Sequence, residues 1–317
     1  MNPGTSRHCS TWNYLHSDFE RKMQQIAEKW FDEKQLPKHN RYPYILRGHE
    51  LWKKNIILAE VAEYINKEQE RREAEGHGFP LHKYLHHGLS SQAMLFNLIG
   101  PLLLLRDWSP LRDAFALASV PWPPGEIEVT LEVSDHKVLG EDPRHPTSLD
   151  FAIRGEGSGP NLFIESKLVE KEFGGCSVFS RGDCEGMNPA QDFDLCYLHH
   201  FRRQYWPRLE ELEFLHGQFQ DSPICLLAQY YQFFREVLFA LSQGGYFVLL
   251  VDRRNPTFIR ESSKGARGLM PFLINFVPQA HRHRIKSIFV QQIVQAIRES
   301  GRHDHWVGEF DRKYGIT

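Results

Sequence analysis

An α/β architecture with a mixed central sheet flanked by helices follows from three observations on this 317-residue chain. Residues 126–133 alternate strictly, with Ile127, Val129, Leu131 and Val133 on one side and Glu126, Glu128 and Glu132 on the other, the period of a half-buried strand. Residues 246–252 form a continuous apolar run, as expected of a strand covered on both faces. Between them lies a long apolar helical stretch over 222–243, with Ser222 placed as N-cap, Pro223 at the first helical position and Gly244-Gly245 as the stop. Two further strand-like runs, 148–153 and 161–167, flank a Gly-rich hairpin loop, and a helix opens at Ser90-Ser91-Gln92. The order is helix, three strands, helix, strand.

The remaining elements follow along the chain. Residues 1–17 read as a loosely held tail. Phe19, Met23, Ile26 and Trp30 recur at helical spacing, and Leu58, Val61, Ala62 and Ile65 do so in a charged helix ending near Gly76, whose Glu60 and Glu63 are expected on the solvated face. The His-rich stretch from Leu81 to His87 reads as a lead into the next helix, with metal binding or DNA contact as the alternatives. Residues 1–89 thus make a helical region without a catalytic motif, and residues 90–256 the core, with an insertion at 169–222. Ser109-Pro110 starts another helix, and the stretch from Pro121 to Gly125 is a stiff connector into the first strand. Residues 257–317 form a C-terminal loop to about residue 283 and a final helix in which Ile285, Ile288, Phe289, Ile293 and Ile297 make the apolar stripe.

Composition bounds the function. No stretch approaches the length of an apolar membrane span, the N-terminus lacks the regions of a signal peptide, and five cysteines without a tight framework suit a reducing compartment, so a cytoplasmic protein is expected. Cys176, Cys184 and Cys196, close to His199 and His200, read as unpaired thiols, with a structural zinc as the alternative. At a net charge of −2 no global field attracts nucleic acid, so contact requires a local patch. Candidates are Arg253-Arg254, the group Arg260, Lys264 and Arg267, the run from His281 to Lys286, and Arg202-Arg203 with Tyr205 and Trp206 as cations beside aromatic rings.

The chemistry is concentrated at Asp150 and at Glu165-Ser166-Lys167. Period two puts Glu165 and Lys167 on one face of their strand, and Asp150 lies on the neighbouring strand. Two carboxylates from adjacent strands can hold one divalent cation, with an ammonium beside them to orient water or offset charge on a phosphate: a metal-dependent phosphodiesterase pattern. Similar triplets at Glu20, Asp32 and Asp311 lie in helical or terminal contexts, and only Asp135-His136-Lys137 is a rival, without a strand to carry a partner acid.

This order and signature, extended by Ser90-Ser91-Gln92 with Phe96-Asn97, Leu131-Glu132-Val133 and the segment from Tyr231 to Arg235, resembles the PD-(D/E)XK nuclease superfamily, and within it a bacterial group of restriction-type endonucleases. The resemblance spans roughly residues 85–256 and implies a restriction-endonuclease-like core. It implies Asp150 and Glu165 as metal ligands with the Ser166 carbonyl, Lys167 as the catalytic lysine, Glu132 as an additional acid near the metal, and Gln232 as a helix residue facing the site. Glu126 and Glu128 remain alternatives to Glu132, because the aromatic residues expected around that acid are missing, and Leu149 stands where a proline usually precedes the aspartate. Gln232 and Gln229 have a second reading, in which they only satisfy nearby backbone. The implied cofactor is Mg²⁺, with Mn²⁺ as a substitute, and the implied substrate is DNA, with RNA left open, in restriction or phage defence. A homodimer is expected for double-strand cleavage. The alternatives are a catalytically inactive nuclease-fold module that binds nucleic acid or a protein partner, and a zinc-stabilised interaction protein.

Overall fold

β1 (Ile127–Ser134), β2 (Ser148–Gly155) and β3 (Leu162–Lys167) form an antiparallel meander in which Leu131 faces Phe151 and Phe151 faces Ile164. The helix Leu226–Ser242 then crosses over the sheet and returns the chain as β4 (Tyr246–Val251), parallel to β3, and β5 (Ile285–Phe289) adds parallel to β4. The result is a five-stranded mixed sheet in the order β1-β2-β3-β4-β5, flanked by helices, a restriction-endonuclease-like α/β architecture. The computed structural model describes residues 7–263 and 265–316, with side chains from residue 14 onward.

Period two sends alternate side chains of the central strands into two cores. Leu162, Ile164, Val248 and Leu250 pack with α3 (Ser91–Leu105), with the N-terminal helices α1 (Arg7–Glu33) and α2 (Ala59–Ala74), and with the helices Val290–Glu299 and Asp304–Tyr314. Phe163, Phe247, Leu249 and Val251 pack under the helix Leu226–Ser242. α4 (Ser109–Leu117) starts at Ser109 with Pro110 in its first turn, as expected from the sequence.

β1 and β2 depart from the expected alternation at one level. Leu131 and Phe151 belong to the first core, whereas Val133 and Leu149 belong to the second, so both strands change sides at Glu132 and Asp150. The cause in β1 is backbone: Glu132 has φ +49°, a left-handed conformation that a non-glycine residue adopts only when its surroundings hold it there. Arg72 of α2 stabilises the break by donating from Nη2 to the Leu131 carbonyl at 2.8 Å and from Nη1 to the Glu132 carbonyl at 3.0 Å.

Four other expectations change. The crossover helix begins at Leu226 rather than at Ser222: the Ser222 hydroxyl bonds the Ile224 carbonyl, and the Cys225 N–H goes to Gly186, so the Ser-Pro pair belongs to a loop. Ile285, Ile288 and Phe289 lie on a strand, and only Val290–Glu299 is helical. The expected N-terminal tail is helical from Arg7, and residues 1–6 lie outside the described residues, as does Lys264 of the basic loop. Asp311-Arg312-Lys313 sits in a helix rather than in a terminal tail.

The insertion contributes Tyr205–Glu211 and several single-turn helices that pack on the second core. Tyr205 and Trp206 are each 1% exposed, so these rings are core residues and not a platform for bases. Arg254 is likewise spent on Asp252 and on the carbonyls of Tyr314 and Gly315. No helix among the described residues is long and apolar enough to cross a membrane.

Candidate active site

The β2–β3 ladder ends with Phe151 opposite Ile164, so Asp150 and Glu165 are the next residue on each strand, and the Ser166 N–H bonds the Asp150 carboxylate. Glu165 and Lys167 continue the face of Phe163, and Asp150 that of Ala152, which is the face covered by the helix Leu226–Ser242. That helix is kinked at Tyr230, and its Gln232 N–H is drawn to the Gly174 carbonyl at 2.9 Å, which aims Gln232 at the sheet.

A hydrogen-bonded group results. Lys167 Nζ donates to Glu165 Oε1 at 2.8 Å and to Gln232 Oε1 at 3.1 Å. Gln232 Nε2 donates to the same Glu165 oxygen at 2.7 Å and to Glu236 Oε1 at 2.8 Å. Asp150 Oδ2 accepts the Ser166 N–H at 2.6 Å. Glu132 Oε1 accepts from Gln92 Nε2 at 2.6 Å, and Gln92 Oε1 accepts the His82 N–H, tying α3 to both the acid and the loop before the helix. Glu132, Glu165, Lys167 and Glu236 are all buried, while Glu126 and Glu128 are exposed and line a different cavity. Of the three candidate glutamates, Glu132 is the one beside Asp150 and Glu165. Asp135 spends its carboxylate on the Lys137 N–H in an exposed turn and lies away from the cleft.

These side chains line a cleft of about 780 Å³ whose lining also includes Tyr44, His82, Tyr84 and His87. Electrostatics there are unbalanced. Burial, then the charges of Glu165 and Glu132, raise the Asp150 carboxyl well above its ordinary range. Burial first, with the charge of Glu165 adding, raises Glu132 to about 8. Glu236 is raised by burial and by Glu165. Burial disfavours the Lys167 ammonium, but the charges of Glu165, Glu170 and Glu236 and the bond to Glu165 outweigh it, so the lysine is held protonated.

The donor set is oxygen, the kind a hard divalent cation prefers. One oxygen of each central carboxylate is engaged by protein, leaving Asp150 Oδ1 and Glu165 Oε2 without a protein hydrogen bond among the described residues. No group of three or more His, Cys, Asp or Glu side chains among the described residues already encloses a metal position; the nearby Glu132 is turned to Gln92. This applies equally to Cys176, Cys184 and Cys196, which are free thiols.

Sequence reasoning placed Asp150, Glu165, Ser166, Lys167, Glu132 and Gln232, and the structure brings all six to one neighbourhood. Gln232 serves side chains of the site, whereas Gln229 makes no such bond. Sequence reasoning gave no site role to Glu236 or Arg72, and it favoured a mere lead into the helix for the stretch whose His82 and His87 line the cleft. Glu236 lies four residues after Gln232, the spacing of one helical turn, which was a usable signal. Gln92 was noticed only as part of a resemblance and not as the residue that holds Glu132.

No curated protein and no solved structure matches the chain. The family model described as restriction endonuclease associating with ARP matches residues 23–315, from the first helix through β5 and the last helix. The chain therefore belongs to this restriction-endonuclease family.

Proposed function

We propose that this protein is a Mg²⁺-dependent endonuclease of the PD-(D/E)XK kind that hydrolyses phosphodiester bonds in DNA. The observation that carries the reading is the approach of Asp150 and Glu165 at the end of the β2–β3 ladder, Asp150 bonded to the Ser166 N–H, with Lys167 and Gln232 converging on one oxygen of Glu165. Asp150 Oδ1, Glu165 Oε2 and the Ser166 carbonyl would hold the cation, with Glu132 turning from Gln92 to join them. Bound there, Mg²⁺ would polarise the scissile phosphate and lower the pKa of a water. Lys167, kept charged by three glutamates, serves as a fixed cation for the phosphate's developing charge rather than as a base. Gln232 fixes the lysine and Glu165 relative to each other, and its position in a buried kinked helix limits their motion.

A role in restriction or phage defence, and a homodimer that places one site on each strand, belong to the same proposal. The purified protein is incubated with plasmid, linear duplex and single-stranded DNA in Mg²⁺ or in EDTA. Cutting is expected in Mg²⁺ only, and Asp150→Asn or Lys167→Ala should reduce it at least about a hundredfold with the melting transition retained. Undiminished cutting by both variants would refute the assignment. Binding of DNA without hydrolysis in any divalent cation would instead favour the inactive-module alternative.

A further inference from the structure

Gln232 and Glu236 stand one turn apart on the crossover helix, so their side chains share a face. The Gln232 amide is saturated. Its oxygen accepts from Lys167 Nζ at 3.1 Å and from the Gly174 N–H at 3.5 Å. Its nitrogen donates to Glu165 Oε1 at 2.7 Å and to Glu236 Oε1 at 2.8 Å. The orientation of the amide follows from its partners: an ammonium and a backbone N–H can only donate, so the oxygen faces Lys167 and Gly174, and the NH₂ group on the other side needs two acceptors. Glu165 is one of them and Glu236 is the other.

Nothing else in the surroundings of Glu236 favours an acid. The residue is 1% exposed, and its helix neighbours Phe233, Phe234, Val237, Leu238 and Phe239 are buried apolar side chains. Its second oxygen, Oε2, is buried without a hydrogen bond, and the carboxyl forms no ion pair with a cation among the described residues. A buried carboxyl with one oxygen unmet costs stability, and an apolar residue of similar size would fill the position without that cost. The bond from Gln232 to Oε1 is what the acid supplies there.

We propose that Glu236 is a positioning residue for the cleavage site: by holding the second N–H of Gln232 it locks that amide, and through it Lys167 and Glu165, in the arrangement that leaves Glu165 Oε2 open to the cation. Its effect on cleavage rests on the nuclease reading above, whereas the locked amide exists with or without a substrate. Glu236 also borders the cleft, so direct ligation of the metal is the competing outcome.

Metal-free protein labelled with ¹⁵N-glutamine reports the amide by nuclear magnetic resonance, the Gln232 pair being identified by its loss in Gln232→Leu. In Glu236→Leu, or in Glu236→Met where the branched side chain disturbs folding, one of the two amide protons should move upfield and exchange with water at least about tenfold faster. Glu236→Gln, whose carbonyl can accept the same bond, should restore the wild-type behaviour. In steady state with plasmid DNA and Mg²⁺, Glu236→Leu should lower kcat about tenfold with little change in KM, and Glu236→Gln should recover most of the loss. In the Gln232→Leu background, Glu236→Leu should cost nothing further. Mn²⁺ should still bind to Glu236→Gln. An amide unmoved by Glu236→Leu, a loss of cleavage that Glu236→Gln does not relieve, losses that multiply with Gln232→Leu, or Mn²⁺ binding abolished by Glu236→Gln overturns the proposal. A wild type that does not cut in Mg²⁺ while its amide responds as expected removes the nuclease reading and leaves the positioning; cutting with an unresponsive amide does the reverse.

Discussion

At the residue scale, one oxygen of Glu165 receives both Lys167 and Gln232, which leaves the other for a ligand while the pair stays fixed. The cost of that arrangement falls on its neighbours, since Asp150 and Glu132 are raised by burial beside it. For Glu132 the sign is set by its value of about 8: between roughly pH 4.5 and 8 the unfolded chain has released this proton and the folded chain still holds it. The folded state binds more protons in that window, so metal-free protein should lose stability as pH rises through it. Thermal melts from pH 5 to 8.5 are expected to show this fall, and saturating Mg²⁺ to reduce it at the alkaline end. Gln232→Leu should lower cleavage by about ten- to a hundredfold with little change in KM, measured in steady state, because it loosens groups that already sit in place. Asp150, Glu165 and Lys167 were legible in the sequence because period two fixes which strand residues share a face. Glu236 and the link from Gln92 to Glu132 were not, because a polar residue in an apolar helix does not reveal which partner it meets across the fold.

At the scale of elements, the side change at Glu132 and Asp150 is what separates this sheet from its sequence pattern. Ile127, Val129, Leu131 and Val133 alternate without a break in one dimension, and the backbone reversal at Glu132 is invisible there. Its support comes from α2, whose Arg72 is also stacked over Phe79 at 4.9 Å. Arg72→Ala should cost about 1–3 kcal/mol by chemical denaturation, because it leaves two carbonyls at the break without this donor, and Arg72→Lys should recover only part, since a single ammonium cannot reproduce the planar fork. The helix, strand and crossover order was readable from periodicity and stop signals. β5 was not, because Ile285, Ile288 and Phe289 also fit helical spacing. What decides is the edge of β4, whose backbone groups require a parallel partner, and that demand is set by a distant part of the chain.

At the scale of the molecule, the two ends of the chain close on the same core as the sheet: Phe19 and Met23 from α1 share it with Trp306 and Phe310 from the last helix. Lys313 is buried at this junction, donates to Asn55 Oδ1 at 2.6 Å and lies 3.5 Å from the Trp30 ring centroid. Through Asn55 this contact reaches the loop that carries His87 and Tyr84, so the C-terminal helix supports a loop that lines the cleft. Burial lowers Lys313 well below its ordinary value. The unfolded lysine is then the better proton binder up to about pH 10.4, so this group adds stability as pH rises toward that point. Melting curves from pH 8.5 to 10, above the window in which Glu132 titrates, are expected to show the rise in the wild type and to lose it in Lys313→Met. Joint binding of one divalent cation by Asp150 and Glu165 is tested most directly by calorimetric titration of Mn²⁺ into the folded protein. One binding event is expected in the wild type and is lost in both Asp150→Asn and Glu165→Gln; binding that survives unchanged in both variants would rule out the shared site.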